Sequence, residues 1–199
     1  MRNLFRLSVL ALMATFFSSC GYNTLVDLDE GADSAWADVE SAYKKRADLV
    51  GNLVSTVQGA GDFEKETLEA VTEARSKATS TTVDPSKASP EQMQQYLDNQ
   101  SGLGGALSRL LLVVERYPEL KATDNFKELQ AQLEGIENRI DVARNRYNDE
   151  VKEYNSYRRQ APQVIYAGLL GFKDKSYFEG EEGNEKAPEV DFDFKNDDE

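Results

Sequence analysis

The chain has 199 residues, enough for one domain, and its 36 acidic and 23 basic residues give a net charge of −13, which argues against nucleic-acid binding. It contains no histidine and one cysteine, which excludes histidine-activated nucleophiles, zinc sites built on nitrogen or sulfur, and an intrachain disulfide. Only catalysis by carboxylates alone or an oxygen-ligated cation such as calcium stays open, and the sequence has no Asp-x-Asp-x-Asp-Gly loop to hold one. We therefore expect no cofactor and no resident metal.

The N-terminus has the composition of an export signal. Arg2 and Arg6 precede an apolar run over residues 7–17, which is followed by Ser18, Ser19 and Cys20. The run is shorter than the roughly 20 residues of a membrane-spanning helix. We predict that residues 1–19 are a cleaved lipoprotein signal peptide and that Cys20 is the lipid attachment site. The alternatives are a single-pass inner-membrane helix and an ordinary signal with an incidental cysteine.

This interpretation predicts an extracytoplasmic protein held at a membrane by its N-terminus. In a Gram-negative host we expect the outer membrane, facing the periplasm, because Gly21 follows the cysteine in place of the aspartate that favours inner-membrane retention. Two acyl chains are enough for stable anchoring, whereas one is marginal.

Apolar residues at steps of three and four predict a first long helix over residues 23–58. Gly59, Ala60 and Gly61 either break or kink it, because two glycines cost about 2 kcal/mol relative to alanine. Helical spacing resumes over residues 62–79, and the small polar residues of 80–88 predict a loop.

The second half of the chain predicts two further long helices. Ser89, Pro90 and Gln92 form the sequence signature of a capping box, and the helix they begin is expected to end at Tyr117, before a proline. A seven-residue repeat then predicts a helix over residues 124–160. A short apolar segment, residues 164–172, should fold back over the end of the helices.

The predicted fold class is all-α. Residues 20–172 are expected to form an antiparallel up-down bundle of about four long helices with coiled-coil-like seams, in which the first and last pair along most of their length. Residues 173–199 are an acidic C-terminal tail, expected to be mostly disordered. Whether its alternating segment, residues 190–194, docks on the helices stays open.

Many short motifs occur in a fixed order and spacing along this pattern. They include Tyr22-Asn23-Thr24-Leu25-Val26, Arg46-Ala47-Asp48-Leu49-Val50, Asn52-Leu53-Val54, Glu115-Arg116-Tyr117-Pro118-Glu119-Leu120, Glu137-Asn138-Arg139-Ile140, Arg146-Tyr147-Asn148 and Gly171-Phe172. Over residues 22–194 the chain resembles the LemA family of bacterial membrane-associated proteins. The resemblance implies a helical bundle held at a membrane by its N-terminus, and it supplies no catalytic residues.

Polar residues interrupt three of the predicted seams: Arg46 in the first helix, Gln100 in the next long one and Glu150 in the last. A charge that faces a core is costly unless it is paired. We expect Arg46 to join a buried polar network with a carboxylate on another long helix, with Glu115, Glu134 and Glu137 as candidates. In the alternative, Arg46 extends past its apolar stem into solvent.

The last long helix is rich in arginine and asparagine. A functional interpretation is a polar groove for a peptide or glycan, and the alternative is a solvated face with ion pairs. The candidate groove residues are Asn138, Arg139, Arg144, Arg146, Asn148 and Asn155. The tyrosines at 147, 154 and 157 fit core packing better than sugar stacking.

The favoured functional hypothesis is a non-enzymatic binding or scaffold protein with a protein partner in the envelope. It rests on long helices with surplus surface, a membrane tether and the missing catalytic residue types. Two alternatives stay open: a carboxylate-only hydrolase of envelope glycans, and a homo-oligomeric, self-assembling coat or stalk.

Overall fold

The computed structural model describes residues 2–59 and 63–178, with side chains described from residue 21 onward. These residues contain helices and no strand, which confirms the all-α prediction. In chain order the helices are α1 (Arg2–Gly59), α2 (Lys65–Ser80), α3 (Pro90–Val114), α4 (Pro118–Lys121), α5 (Asp124–Arg158) and α6 (Gln163–Leu170). Residues 60–62 and 179–199 lie outside the described residues, and so does the alternating segment 190–194.

Local signals set several helix ends. The Ser89 hydroxyl accepts a hydrogen bond from the backbone N–H of Gln92, whose side chain accepts one from the Ser89 N–H, so the predicted capping box is present. The Thr123 hydroxyl caps α5 in the same way, on the N–H of Phe126. Gly171 ends α6 with a φ of 86°, which glycine adopts without strain.

The helix boundaries differ from the prediction in four places, the first being α2, which begins at Lys65 where residue 62 was predicted. The first helix is continuous from Arg2, so it contains the segment predicted as a signal as well as residues 23–58. The helix that begins at Pro90 ends at Val114, three residues early, because the chain turns before the separate short helix α4. The last long helix ends at Arg158, where the backbone begins the turn toward α6.

The two longest helices, α1 and α5, run antiparallel against each other. Gly21 lies level with Tyr157, Asp38 with Arg146 and Arg46 with Glu137, so the chain direction is opposite on the two helices. The predicted seam acid, Glu150, packs beside Gly31, and a Cβ atom at that glycine would lie 3.1 Å from its Oε2.

Helices α2 and α3 form an antiparallel hairpin on the other side of α1. Gln100 donates a hydrogen bond to the Ala78 carbonyl, and Arg116 pairs with Glu64. The core between the hairpin and the α1–α5 pair contains an aromatic cluster in which Trp36 lies 5.6 Å from Tyr96 and 5.2 Å from Tyr147, between ring centroids. Within the described residues, none of the helices combines the length and apolarity needed to cross a membrane.

Residues 172–178, here called the C-terminal strap, follow α6 in a non-helical conformation and lie against α5 and α1. Lys175 and Phe178 are buried there. The predicted acidic tail began at residue 173, and its first six residues, 173–178, lie against the helices. They stay attached because α5 supplies polar side chains that satisfy the strap's backbone groups.

Candidate functional site

Arg46 is buried in the C-terminal third of α1, with 5% of its surface exposed. Its Nη2 donates hydrogen bonds of 2.9 Å to both the backbone carbonyl and the side-chain Oε1 of Gln100. Its Nη1 lies 3.3 Å from both carboxylate oxygens of Glu137. The guanidinium therefore ties α1 to α3 and α5, and Gln100 extends the network to α2 through the Ala78 carbonyl.

The other two predicted carboxylate partners lie elsewhere. Glu115 accepts both its hydrogen bonds from Lys121, and Glu134 accepts one from Gln130 on its own helix. Neither belongs to the Arg46 network, because position 137 is the one that faces α1 at the level of Arg46. The sequence placed all three on plausible helices and could not choose between them.

The Arg46 network forms the floor of a groove of about 710 Å³ between α3 and α5. Both signs of charge line it: Arg46 and Arg144 are basic, and Asp98, Glu137 and Asp141 are acidic. Gly104 and Gly105 form part of the α3 side, and apart from adjacent residues and the backbone of α3 itself no described atom lies within 4 Å of where their Cβ atoms would be. The groove is thus polar, bordered by exposed helix backbone, and floored by a buried cation.

One hydrogen-bond donor in the floor of the groove has no partner among the described residues. The Nε of Arg46 is buried and has no hydrogen-bond acceptor among the described residues. The guanidinium also lies over the ring of Tyr43, 5.0 Å from its centroid. Burial raises the pKa of the Tyr43 hydroxyl, so this phenol stays protonated beside the arginine at neutral pH.

The six predicted groove residues of α5 separate into different environments. Arg144 lines the groove, and its guanidinium carbon lies 5.2 Å from the centre of the Phe178 ring. Arg146 pairs with Asp38 on α1 across 3.0 Å. Asn138 and Arg139 are exposed. The remaining two, Asn148 and Asn155, bind the strap, so the six do not form one surface.

The strap is held mainly through its backbone. Asn155 donates to the Lys175 carbonyl and accepts from the Lys175 N–H, and Asn148 does the same at Phe178. Further side chains of α5 reach other strap carbonyls: Arg158 at Phe172, Tyr154 at Lys173 and Tyr147 at Ser176. The predicted peptide-binding character of α5 is thus used within the chain. Burial raises the pKa of Tyr147 and Tyr154, which keeps both hydroxyls as donors.

Two strap side chains enter the body of the protein. The Nζ of Lys175 lies 3.0 Å from Asp29, within hydrogen-bond distance of Asp33, and 2.7 Å from the Ser86 hydroxyl. Phe178 stacks on Trp36, with ring centroids 5.4 Å apart. Sequence reasoning missed both residues. The available signal was the seven-residue spacing of Asn148 and Asn155, which places two amides along one line of α5.

A family model described as LemA family matches residues 35–192, which confirms the resemblance. The chain is 28% identical over 194 residues to magnetosome protein MamQ 2 of Paramagnetospirillum magneticum, covering 87% of this chain and 69% of that protein. It is 26% identical over 193 residues to MamQ of Magnetospirillum gryphiswaldense, covering 86% and 69%. Protein LemA of Metamycoplasma hominis is 29% identical over 118 residues, 59% of this chain and 50% of that protein.

Proposed function

The chain belongs to the LemA family, and on that premise we propose that it is an envelope-anchored protein that binds another protein and catalyses no reaction. The observation that carries the proposal is the groove between α3 and α5, floored by the Arg46 network. Its volume of about 710 Å³ falls in the range of binding sites, while its lining is charged where small-molecule pockets are mainly apolar.

A polypeptide suits such a groove better than a small metabolite does. Interspersed charges give orientation and partner choice, since a matching partner must present acids to Arg144 and bases to Asp98 and Asp141. The glycines of α3 allow another backbone to approach closely, and each costs up to about 1 kcal/mol of helix stability relative to alanine. No packing within the described chain offsets that cost, which supports an external contact.

The anchor is part of the same proposal. We place it at Cys20, acylated after removal of residues 1–19, with the helical body outside the cytoplasm; in a Gram-negative host it would lie in the periplasm at the outer membrane. Mass spectrometry of the N-terminal peptide should find two or three acyl chains on Cys20. A Cys20→Ser variant should keep residues 1–19. Recovery of an intact, unmodified wild-type N-terminus would instead support the single-pass alternative.

In-cell photo-crosslinking tests the binding groove. A photoreactive amino acid replaces Ser101, which lines the groove, and in a matched strain it replaces exposed Gln132. Gln132 is nine residues from Asp141, which places it about 180° around α5 from the groove. We expect one defined protein adduct from position 101 that is absent from position 132. Equal adducts from both positions, or none from position 101, would contradict a partner in the groove.

The two other hypotheses give different outcomes. Release of soluble fragments from purified peptidoglycan by the wild type, but not by Glu137→Gln or Asp141→Asn variants, would establish a carboxylate hydrolase. If the adduct at position 101 is a second copy of this chain, and the detergent-purified protein sediments as a large assembly, the self-assembling coat replaces the adaptor.

A further inference from the structure

Helix α6 is apolar on its solvent side. Ile165 and Leu169, one turn apart and therefore on the same face, have 76% and 86% of their surface exposed. Val164 and Leu170 flank them and are also exposed. Such a cluster on a helix of eight residues is unusual for a surface in contact with water alone, and marks an interaction site.

The opposite side of α6 fixes its position in the molecule. Ala167 is buried against Leu25 and Tyr154, and the Tyr157 hydroxyl donates to the carbonyl of Gly21. The ring of Tyr22 lies 6.1 Å from that of Phe172, edge to face. Helix α6 is therefore attached to the first turns of α1 after residue 20, directly beside the predicted attachment point Cys20.

The charge around this end differs from that of the whole chain. The chain carries a net charge of −13, yet residues 154–173 contain no acidic residue and three basic ones, Arg158, Arg159 and Lys173. The next residue, Asp174, pairs with both arginines, so the segment 154–174 keeps a positive balance. Residues 21–26 carry no charge at all. An apolar helix face with neighbouring basic residues is complementary to an anionic lipid surface, whose headgroups attract lysine and arginine.

We propose that the exposed face of α6 lies in the headgroup region of the bilayer that holds the N-terminus, with Ile165 and Leu169 among the upper acyl chains. The inference rests on the proposed membrane anchoring and adds a second contact. It holds for either form of anchor, because both place the lipid surface next to Gly21. A single tether would leave the long α1–α5 pair free to tilt, whereas contact through α6 sets its orientation.

Tryptophan quenching tests this contact on the full-length protein in vesicles that contain phosphatidylglycerol and acyl-brominated phosphatidylcholine. Leu169→Trp places a reporter on α6. Leu112→Trp places a matched reporter on another highly exposed leucine, near the Arg116–Glu64 pair at the far end of the molecule. The native Trp36 is buried in the core and supplies a constant background, measured in the wild type. We expect brominated lipid to abolish most of the added emission of Leu169→Trp and to leave that of Leu112→Trp unchanged.

Equal emission of Leu169→Trp in brominated and unbrominated vesicles would overturn the inference, including the case in which a protein or a second copy covers α6. Flotation of the same vesicles separates this failure from failure of the anchor. Protein that floats without quenching refutes the α6 contact alone, whereas protein that does not float refutes the anchoring on which it rests.

Discussion

Two buried basic residues, Arg46 and Lys175, hold different parts of the molecule in different ways. Lys175 has 3% of its surface exposed, and its three ammonium donors are matched by Asp29, Asp33 and Ser86. Arg46 is almost as buried but has one carboxylate at a long 3.3 Å, and its Nε has no acceptor in the described chain. All the hydrogen-bond donors of the Lys175 ammonium are therefore used within the chain, whereas Arg46 keeps one buried donor, Nε, that has no acceptor among the described residues.

The difference suggests separate roles for the two regions. The strap around Lys175 joins three segments, α1, the loop after α2 and the C-terminal residues, and so stabilises the end near α6. At the groove above Arg46, an unmatched buried donor lowers stability and leaves charge accessible to a partner. The two regions meet at Arg144, which lines the groove and also covers Phe178.

The largest effect should come from Lys175→Met. Removing one partner of a buried charge cluster typically costs 3–5 kcal/mol, and we expect about 3 kcal/mol, because Asp29 and Asp33 are partly exposed and can be hydrated. Thermal unfolding should show a large fall in midpoint, and hydrogen exchange should show loss of protection over residues 172–178. Lys173→Met, at an exposed strap position two residues away, is the control. If Lys175→Met is as stable as that control, the ion pairs of Lys175 do not hold the strap in place.

The next effect tests the amide contacts. Asn155→Ala leaves the buried N–H and carbonyl of Lys175 without partners, and we expect a loss of about 2 kcal/mol. Asn155→Asp should fall between alanine and wild type, because it keeps the acceptor and loses the donor. Chemical denaturation measures both. If the alanine variant is no less stable than the aspartate variant, the backbone contacts of the strap are not what holds it.

Arg46→Met should cost less, about 1 kcal/mol, because two effects oppose each other. The acceptors of Gln100 lose their donors, while methionine fills the apolar space and removes a buried charge. Thermal unfolding of Arg46→Met, beside exposed Arg139→Met, measures the difference. If Arg46→Met loses more stability than Lys175→Met, Arg46 is the more important structural residue of the two, contrary to the comparison above. An unchanged or raised midpoint would leave Arg46 with a role in partner binding alone.

The sequence predicted the helices well because their signals are local. Apolar periodicity, a capping box and prolines act within a few residues of where they occur, so α2, α3 and α5 were located to within a few residues. Arg46 and Gln100 were recognised because they interrupt an apolar stripe. The identity of the partner carboxylate depended on the axial register of α1 against α5, which no local pattern specifies.

The strap could not be predicted for a related reason. Its seven residues have no strand or helix periodicity, and α5 recognises mainly their backbone, which has no sequence signature. The burial of Lys175 depends on Asp33, 142 residues earlier in the chain. An acidic composition indicated a disordered tail because composition averages over residues 173–199 and cannot separate the first six from the rest.

The smallest effect concerns a carboxylate without a basic partner. None of the ion pairs among the described residues includes Glu40, and partial burial raises its pKa above the ordinary 4.5. A side-chain hydrogen bond with Trp36 partly opposes this shift, and the charge of Asp84 adds to it. The folded state therefore binds this proton more tightly than the unfolded chain does. Ionisation of Glu40 costs stability above its folded pKa, and the cost disappears as the pH falls below 4.5.

Glu40→Gln should therefore raise the free energy of unfolding at pH 7 by no more than about 0.5 kcal/mol, because water still screens the exposed part of the side chain. Thermal unfolding should show this as a small rise in midpoint. The gain should vanish near pH 4. Exposed Glu153→Gln should show no such gain at pH 7. If Glu40→Gln instead destabilises the protein at pH 7, the hydrogen bond with Trp36 outweighs the cost of burying the carboxylate. Partial burial would then not distinguish this carboxylate from the paired ones at Asp29 and Glu137, and the contrast between matched and unmatched charges would have to rest on Arg46 alone.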